Sequence, residues 1–346
     1  MNQRLIYIDQ LKGFAILLVV AGHVLEFCLY PGKSSFSHDV IYSFHMPLFA
    51  FLSGLVFTSL SDYKMVGKKL LKQSYRLLVP FLTMGIIYAY TIRKNEGFLL
   101  QPYKLGLWYL LFLWQCYVIT NIYNVFLLSH VKGKSILNVI TDVLWFIIIW
   151  GILKVVMKLC QPGVYNFIGS VHLIKLYPFF FIGCILKRVG FTPPIWRKCS
   201  WGVSLCSLIW LFMVWNINIA PNSYHLKLVL SLGMLAIIPI VYWFAKYEKQ
   251  IPKCIGNALE LFGKYSLEIY IFHRFMTSTC NLESVGNYIL LTKSWTIELV
   301  VVMIVSLTMA YASVYLAKCL SINKILAILL LGKYEKLKYE KIKRLF

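Results

Sequence analysis

Residues Ile6 to Leu29 read I-Y-I-D-Q-L-K-G-F-A-I-L-L-V-V-A-G-H-V-L-E-F-C-L. The run is long and apolar enough to cross a hydrocarbon core, which takes about 20 residues. It is interrupted by Asp9, Lys12, His23 and Glu26. Ionisable groups inside such a span are expensive, and they face a protein interior or a water-filled cavity. Lys12 and His23 stand eleven residues apart, which is three helical turns plus about 20° and roughly 16 Å along the axis. They therefore share one face, and with Lys12 at the membrane boundary His23 falls near the midplane. Asp9 lies on nearly the same stripe, and Glu26 comes within reach of the His23 ring if the helix continues.

Two readings of the stripe stand side by side. In one, Lys12 snorkels to the interface and His23 is a hydrogen-bonded packing residue between helices. In the other, His23 handles protons, since an unperturbed imidazole titrates near pH 6.5. Packing alone does not require an imidazole in register with a carboxylate and a lysine.

The whole chain repeats the character of this segment. Its 346 residues are 60% hydrophobic and 14% charged, far from the quarter of charged residues typical of soluble domains. The fold class is therefore all-α and polytopic in the membrane. A net charge of +22 does not point to nucleic acid, because the basic residues fall between apolar spans and form no basic domain. The nine cysteines stand singly, with no C-x-x-C pair. Neither a disulfide framework nor a zinc or other metal site is expected. The N-terminal run has no small-x-small cleavage pattern and reads as a retained first helix.

Apolar windows recur at about 11–30, 40–60, 77–93, 105–128, 137–158, 171–187, 200–219, 226–246, 265–281 and 296–318, so about ten transmembrane helices are expected. No connection is long enough for a soluble domain. Residues 1–320 form one membrane domain, with 321–346 as a tail. Of the 35 Lys and Arg, 24 fall on one set of alternate loops and termini and 10 on the other, with Lys12 left inside the first span. That asymmetry places both termini in the cytoplasm. The tail from Ile322 alternates lysines with Leu330, Tyr334, Leu337, Ile342 and Leu345, as a basic amphipathic helix on an anionic leaflet does.

Further constellations follow along the chain. In Phe44-His45-Met46-Pro47 the proline predicts an irregular backbone beside His45, tolerated at membrane depth only where protein or a wet cavity satisfies it. Lys68, Lys69, Lys72 and Arg76 read as positive-inside flanking, with Arg76 the member best placed to turn inward and bind phosphate. Tyr270 and His273, three apart, share a helix face. They line a substrate side or are ordinary packing residues.

These stretches resemble the acyltransferase 3 family of integral-membrane acyltransferases, many of which O-acetylate cell-surface polysaccharides. The resemblance runs through D-Q-L-K-G-F-A-I-L-L-V-V-A-G-H (Asp9 to His23), F-H-M-P-L-F-A-F-L-S-G (Phe44 to Gly54), Y-R-L-L-V-P-F (Tyr75 to Phe81), L-W-Y-L-L-F-L (Leu107 to Leu113), Y-P-F-F-F-I-G (Tyr177 to Gly183) and G-K-Y-S-L-E-I-Y-I-F-H (Gly263 to His273). Each match is short, and their order and spacing together carry the resemblance.

It implies that His23 assists acyl transfer while Lys12 and Arg76 hold the donor, acetyl-CoA, from the cytoplasmic side. Gln73 stands where many relatives have a second arginine, so donor binding leans on Lys72 or Lys69 or the donor differs. On this reading His23 deprotonates an acceptor hydroxyl or is transiently acylated, with Glu26 orienting the ring. His45, Tyr270, His273 and Asp9 line the substrate side. The partners implied are acyl-CoA, a glycan or lipid-linked glycan acceptor and membrane lipids, in a bacterial inner membrane. The competing class is a polysaccharide or lipid-linked glycan flippase that uses the same buried charges as a pathway. Internal repeats would favour it, and the two halves show no convincing pairing.

Overall fold

The computed structural model describes residues 6–31, 35–58, 60, 62–93, 97–127, 135–189, 201, 202, 205, 209 and 237–333. Among these all regular structure is helical. Five helical stretches are long and apolar enough to cross a membrane: Ile6–Leu29, Phe36–Val56, Leu137–Leu159, Pro162–Arg188 and Trp295–Leu320. The expected spans at 200–219 and in the first part of 226–246 lie largely outside the described residues, as does the tail beyond Lys333.

The chain forms two compact units, Met1–Leu52 with Leu186–Leu316, and Ser53–Ile185 with Ala317–Phe346. In the first, α1 (Ile6–His23) continues without a break into a π-helical turn, Val24–Leu29. Then comes α2 (Phe36–Val56), with Pro47 inside it. The irregular backbone expected beside His45 is therefore replaced by a continuous helix. A proline removes one i→i−4 bond, and the remaining ladder and tight burial of Leu48, Ala50 and Leu52 hold the helix across that gap.

Glycines set how closely the helices of this unit approach. A Cβ on Gly13 of α1 would overlap the Leu259 carbonyl, and one on Gly263 would overlap that of Asp9. The backbones of α1 and a short helix near Leu259 thus touch at two points, the small-residue contact that brings membrane helices together. That short helix, Lys253–Lys264, was not foreseen, because its apolar face alternates with Lys, Asn and Glu. Gly286 makes the same kind of contact with the Leu29 carbonyl. At the end of the first span Tyr30 donates to Glu298 at 2.7 Å.

In the second unit, α3 (Tyr63–Tyr88) begins at an Asp62 cap that accepts the Lys64 amide. The basic run read as flanking is therefore itself helical. α4 (Trp108–Phe126) packs on α3, with the Trp114 indole donating to Ser74 at 2.9 Å. α5 (Ser135–Leu159), α6 (Pro162–Ile168) and α7 (Ser170–Val189) complete this stretch. Gly54 closes on the Phe180 carbonyl of α7. Two of the short sequence matches, F-L-S-G and Y-P-F-F-F-I-G, therefore meet there.

The loop before α4 is pinned by Lys104. Its ammonium, 0% exposed, donates to the carbonyls of Leu99 at 2.8 Å, Gln101 at 3.4 Å and Asn166 at 2.5 Å. Burial pushes it down to about 8. Lys104 and Leu105 hold left-handed backbone at φ 46° and 55°, uncommon for residues with side chains.

The remaining helices, in chain order, are α8 (Ile237–Tyr247), α9 (Lys253–Lys264), α10 (Ser266–Thr279), α11 (Glu283–Thr292), α12 (Trp295–Leu320) and α13 (Lys324–Leu331). At 14 residues, α10 is about 21 Å long, shorter than the span expected at 265–281. α13 ends at Gly332, whose left-handed φ of 62° caps the helix close against the Arg76 backbone.

Candidate active site

All of the residues joined in this site belong to the first unit. His23 is the last residue of α1, and its Nδ1 lies 2.7 Å from Nε2 of His273 on α10. The ring planes differ by 8° and the centroids are 5.0 Å apart. That separation is one N···N bond plus two ring radii, so the imidazoles meet end to end in nearly one plane.

The proton positions follow from the partners. Nδ1 of His273 lies 2.8 Å from the Ile269 carbonyl, and a carbonyl only accepts, so this nitrogen carries its proton. Neutral His273 then offers Nε2 as an acceptor, and His23 must donate through Nδ1–H. Nε2 of His23 is left as the basic nitrogen, aligned by a two-link chain ending on backbone.

Around the dyad, α2 contributes a column of rings. Tyr42 lies with its ring centroid 6.5 Å from His23, 4.8 Å from His45 and 4.0 Å from His38. The spacing of three and four residues puts His38, Tyr42 and His45 on one face of α2. His45 is buried and its Nδ1 donates to the Ile41 carbonyl at 2.7 Å. His38 meets Asp39 at 2.9 Å. Tyr270 is buried, its ring 5.9 Å from that of His273. The Arg274 guanidinium sits 3.6 Å over the Phe27 ring, a cation–π contact one position past the dyad.

Glu26 takes a different place from the one expected. A continuing α-helix would put it beside His23, but the π-helical turn starts immediately after His23 and, being wider, swings Glu26 off the stripe. Its carboxylate accepts from the Tyr42 hydroxyl and reaches His23 by way of that ring. Among the expected donor-binding residues, half-buried Lys12 stands on α1 three turns before His23. Asp9 is buried at the Gly263 contact. Lys69, Lys72 and Arg76 belong to α3 in the second unit. Lys69 is held by the Thr58 carbonyl and lies 4.7 Å over Phe57, while Lys72 and Arg76 are exposed.

His23, Glu26, His45, Tyr270 and His273 are therefore drawn together. The sequence reading missed Tyr42, His38 and Arg274. For His38 and Tyr42 the signal was the i, i+4, i+7 pattern His38, Tyr42, His45, which puts the three on one helix face, with His38 lying just outside the span expected at 40–60.

An imidazole dyad buried among apolar helices, with one ring nitrogen left basic, can take a proton from a hydroxyl placed against it. The acyltransferase domain family matches residues 5–315, and the chain belongs to that family. Over 85 residues it is 34% identical to the nodulation protein NolL of Mesorhizobium japonicum and, equally, to NolL of Sinorhizobium fredii. Each match covers 23% of this chain and 23% of the relative. No solved structure matches it.

Proposed function

We propose that this acyltransferase moves an acetyl group from cytoplasmic acetyl-CoA to a hydroxyl of a cell-surface or lipid-linked glycan, with His23 as general base. The observation that carries the reading is the 2.7 Å bond between His23 and His273, which defines a basic Nε2 deep in an apolar span.

Nε2 of His23 takes the proton of the acceptor hydroxyl as its oxygen attacks the thioester carbonyl. The charge gained by His23 is shared through Nδ1–H with His273. The tetrahedral intermediate collapses by breaking the carbon–sulfur bond, and the CoA sulfur leaves with the proton from Nε2. The ester is formed, free CoA is released, and both imidazoles return to their starting tautomers.

Lys12 supports donor entry from the opposite end of α1. Its distance from His23, roughly 16 Å along the helix, suits a pantetheine arm whose phosphates stay at the membrane boundary. Lys72 and Arg76, both exposed on α3, carry charge suited to phosphate by charge-assisted bonds. The protein is proposed to lie in a bacterial inner membrane with both termini cytoplasmic, as the loop-charge asymmetry favours.

The test is CoA release from acetyl-CoA by purified protein, paired with mass spectrometry of surface glycans from cells with and without the gene. Acetyl-CoA turnover together with acetyl-bearing glycans only in gene-positive cells supports the reading. Glycan export without consumption of acyl-CoA overturns it in favour of transport.

A further inference from the structure

Beyond the dyad, the end of the first span is fastened to the end of α10 by a short series of contacts. Cys28 belongs to the π-helical turn that follows His23 and is fully buried. Its carbonyl accepts from the Leu282 amide at 3.0 Å, and its Sγ lies 3.6 Å from the Thr277 carbonyl. One residue on, the Leu29 carbonyl meets Gly286 so closely that a Cβ there would overlap it. Cys280 closes α10 and stands in the chain between Thr277 and Leu282, so the two contacts of Cys28 bracket it. The two thiols are themselves in hydrogen-bond contact. Both are free, Cys28 buried and Cys280 partly exposed.

Two thiols held in contact by fixed backbone have a chemistry that a lone cysteine lacks: they can be joined. Whether they are joined depends on the compartment. Cys28 is the last residue but one of the span Ile6–Leu29, so the pair lies at the membrane boundary opposite the one near Lys12. With the N-terminus cytoplasmic, that boundary faces the extracytoplasmic side, where disulfides form and persist. The linear spacing of the nine cysteines hides the pair, because only the packing of α10 against the first span brings it together.

We propose that Cys28 and Cys280 form a disulfide at this boundary, a covalent clasp between the two helices that carry His23 and His273. The inference rests on the membrane orientation proposed above. The oxidant is an extracytoplasmic dithiol–disulfide carrier. Cys280, the more exposed thiol, attacks the carrier's disulfide as thiolate, forming a mixed disulfide and releasing one carrier thiol. The Cys28 thiolate then attacks Sγ of Cys280 and expels the second carrier thiol. Two protein thiols become one disulfide, the carrier is reduced to its dithiol, and the two protons pass to the carrier's sulfurs. The link closes a long loop, so it constrains the unfolded chain strongly and keeps the ends of α1 and α10 together in the folded one.

The test uses the full chain in spheroplasts, with free thiols blocked by N-ethylmaleimide before lysis and the protein digested without reductant. Mass spectrometry should find one peptide pair linked through Cys28 and Cys280, lost on reduction and absent from Cys28→Ser and Cys280→Ser. Dithiothreitol should lower the thermal unfolding midpoint of purified wild-type protein to that of C280S and leave C280S unmoved. Cys254→Ser, at an exposed thiol, should respond as wild type. Maleimide on both Cys28 and Cys280 in unreduced protein overturns the disulfide, and a wild-type midpoint indifferent to dithiothreitol overturns the clasp. A membrane-impermeant maleimide on intact spheroplasts locates such a failure, since Cys254 faces the cytoplasm in the proposed orientation. Free Cys28 and Cys280 with Cys254 labelled from outside sinks the orientation and the pair with it. Free Cys28 and Cys280 with Cys254 protected sinks the pair alone.

Discussion

Nδ1 of His23 and Nε2 of His273 lie 2.7 Å apart although 250 positions separate them in the chain, and the backbone carbonyl of Ile269 at the far side of His273 decides which nitrogen holds each proton. In this arrangement His273 is a positioning residue, acting through His23. Removing it as His273→Ala lowers kcat for transfer by about 10²-fold or more, the range of a disturbed general base, with KM for acetyl-CoA little changed. His273→Gln, whose side-chain oxygen can accept from Nδ1–H of His23, recovers much of the loss. Equal damage from Ala and Gln would mean the ring serves packing only.

The crossing of α1 and α9 depends on Gly13 and Gly263, where any Cβ would overlap a facing carbonyl. Gly263→Val forces these backbones apart and costs about 1–3 kcal/mol, as overpacking does. The loss should appear as a lower midpoint in thermal unfolding of the detergent-solubilised protein. Gly67→Ala, at a helical glycine with open space around it, serves as the control and leaves the midpoint unchanged or slightly raised.

Lys104 gives a pH signature. Its folded value near 8 lies below the ordinary value of about 10.4, so between these two the unfolded chain binds more protons and stability rises with pH. Relative to Lys104→Met, the wild-type protein should therefore gain stability as pH increases from about 8 to about 10. A difference between the two that stays flat over this window contradicts the shift. At pH 7, where the ammonium is charged and bonded to three carbonyls, K104M is the less stable protein, because those carbonyls lose their donor.

The carboxylate of Asp142 on α5 accepts from Tyr123 on α4. Both residues are buried among apolar helices. Tyr123→Phe leaves Asp142 with one donor fewer and costs about 1–3 kcal/mol, read as a lower unfolding midpoint without a change in KM for acetyl-CoA.

Much of the first unit was legible because the physics of a membrane span is local. The ionisable residues of Ile6–Leu29 stood out against hydrocarbon, and the period of the helix put Lys12 and His23 on one face. The His23–His273 bond was not legible, since helical period says nothing about which of two distant helices will meet. Gly13 and Gly263 were visible as parts of two separate motifs, but their shared purpose, bringing the backbones of α1 and α9 together, appears only when the helices cross. Pro47 misled because a proline costs a single ladder bond, and the buried residues after it keep α2 helical. Glu26 was misplaced by the π-helical turn, a change of helical pitch that composition does not announce. The short amphipathic α9 and α11 escaped because neither has a run of apolar residues long enough to register as a span.

The proposed role of His23 is to take the acceptor's proton on Nε2 during acyl transfer. It is tested most directly by measuring acetyl-CoA turnover by purified, folded His23→Ala beside the wild-type protein. The variant is expected to bind acetyl-CoA with near wild-type affinity and to turn it over at least about 10²-fold more slowly. Turnover at the wild-type rate would contradict it.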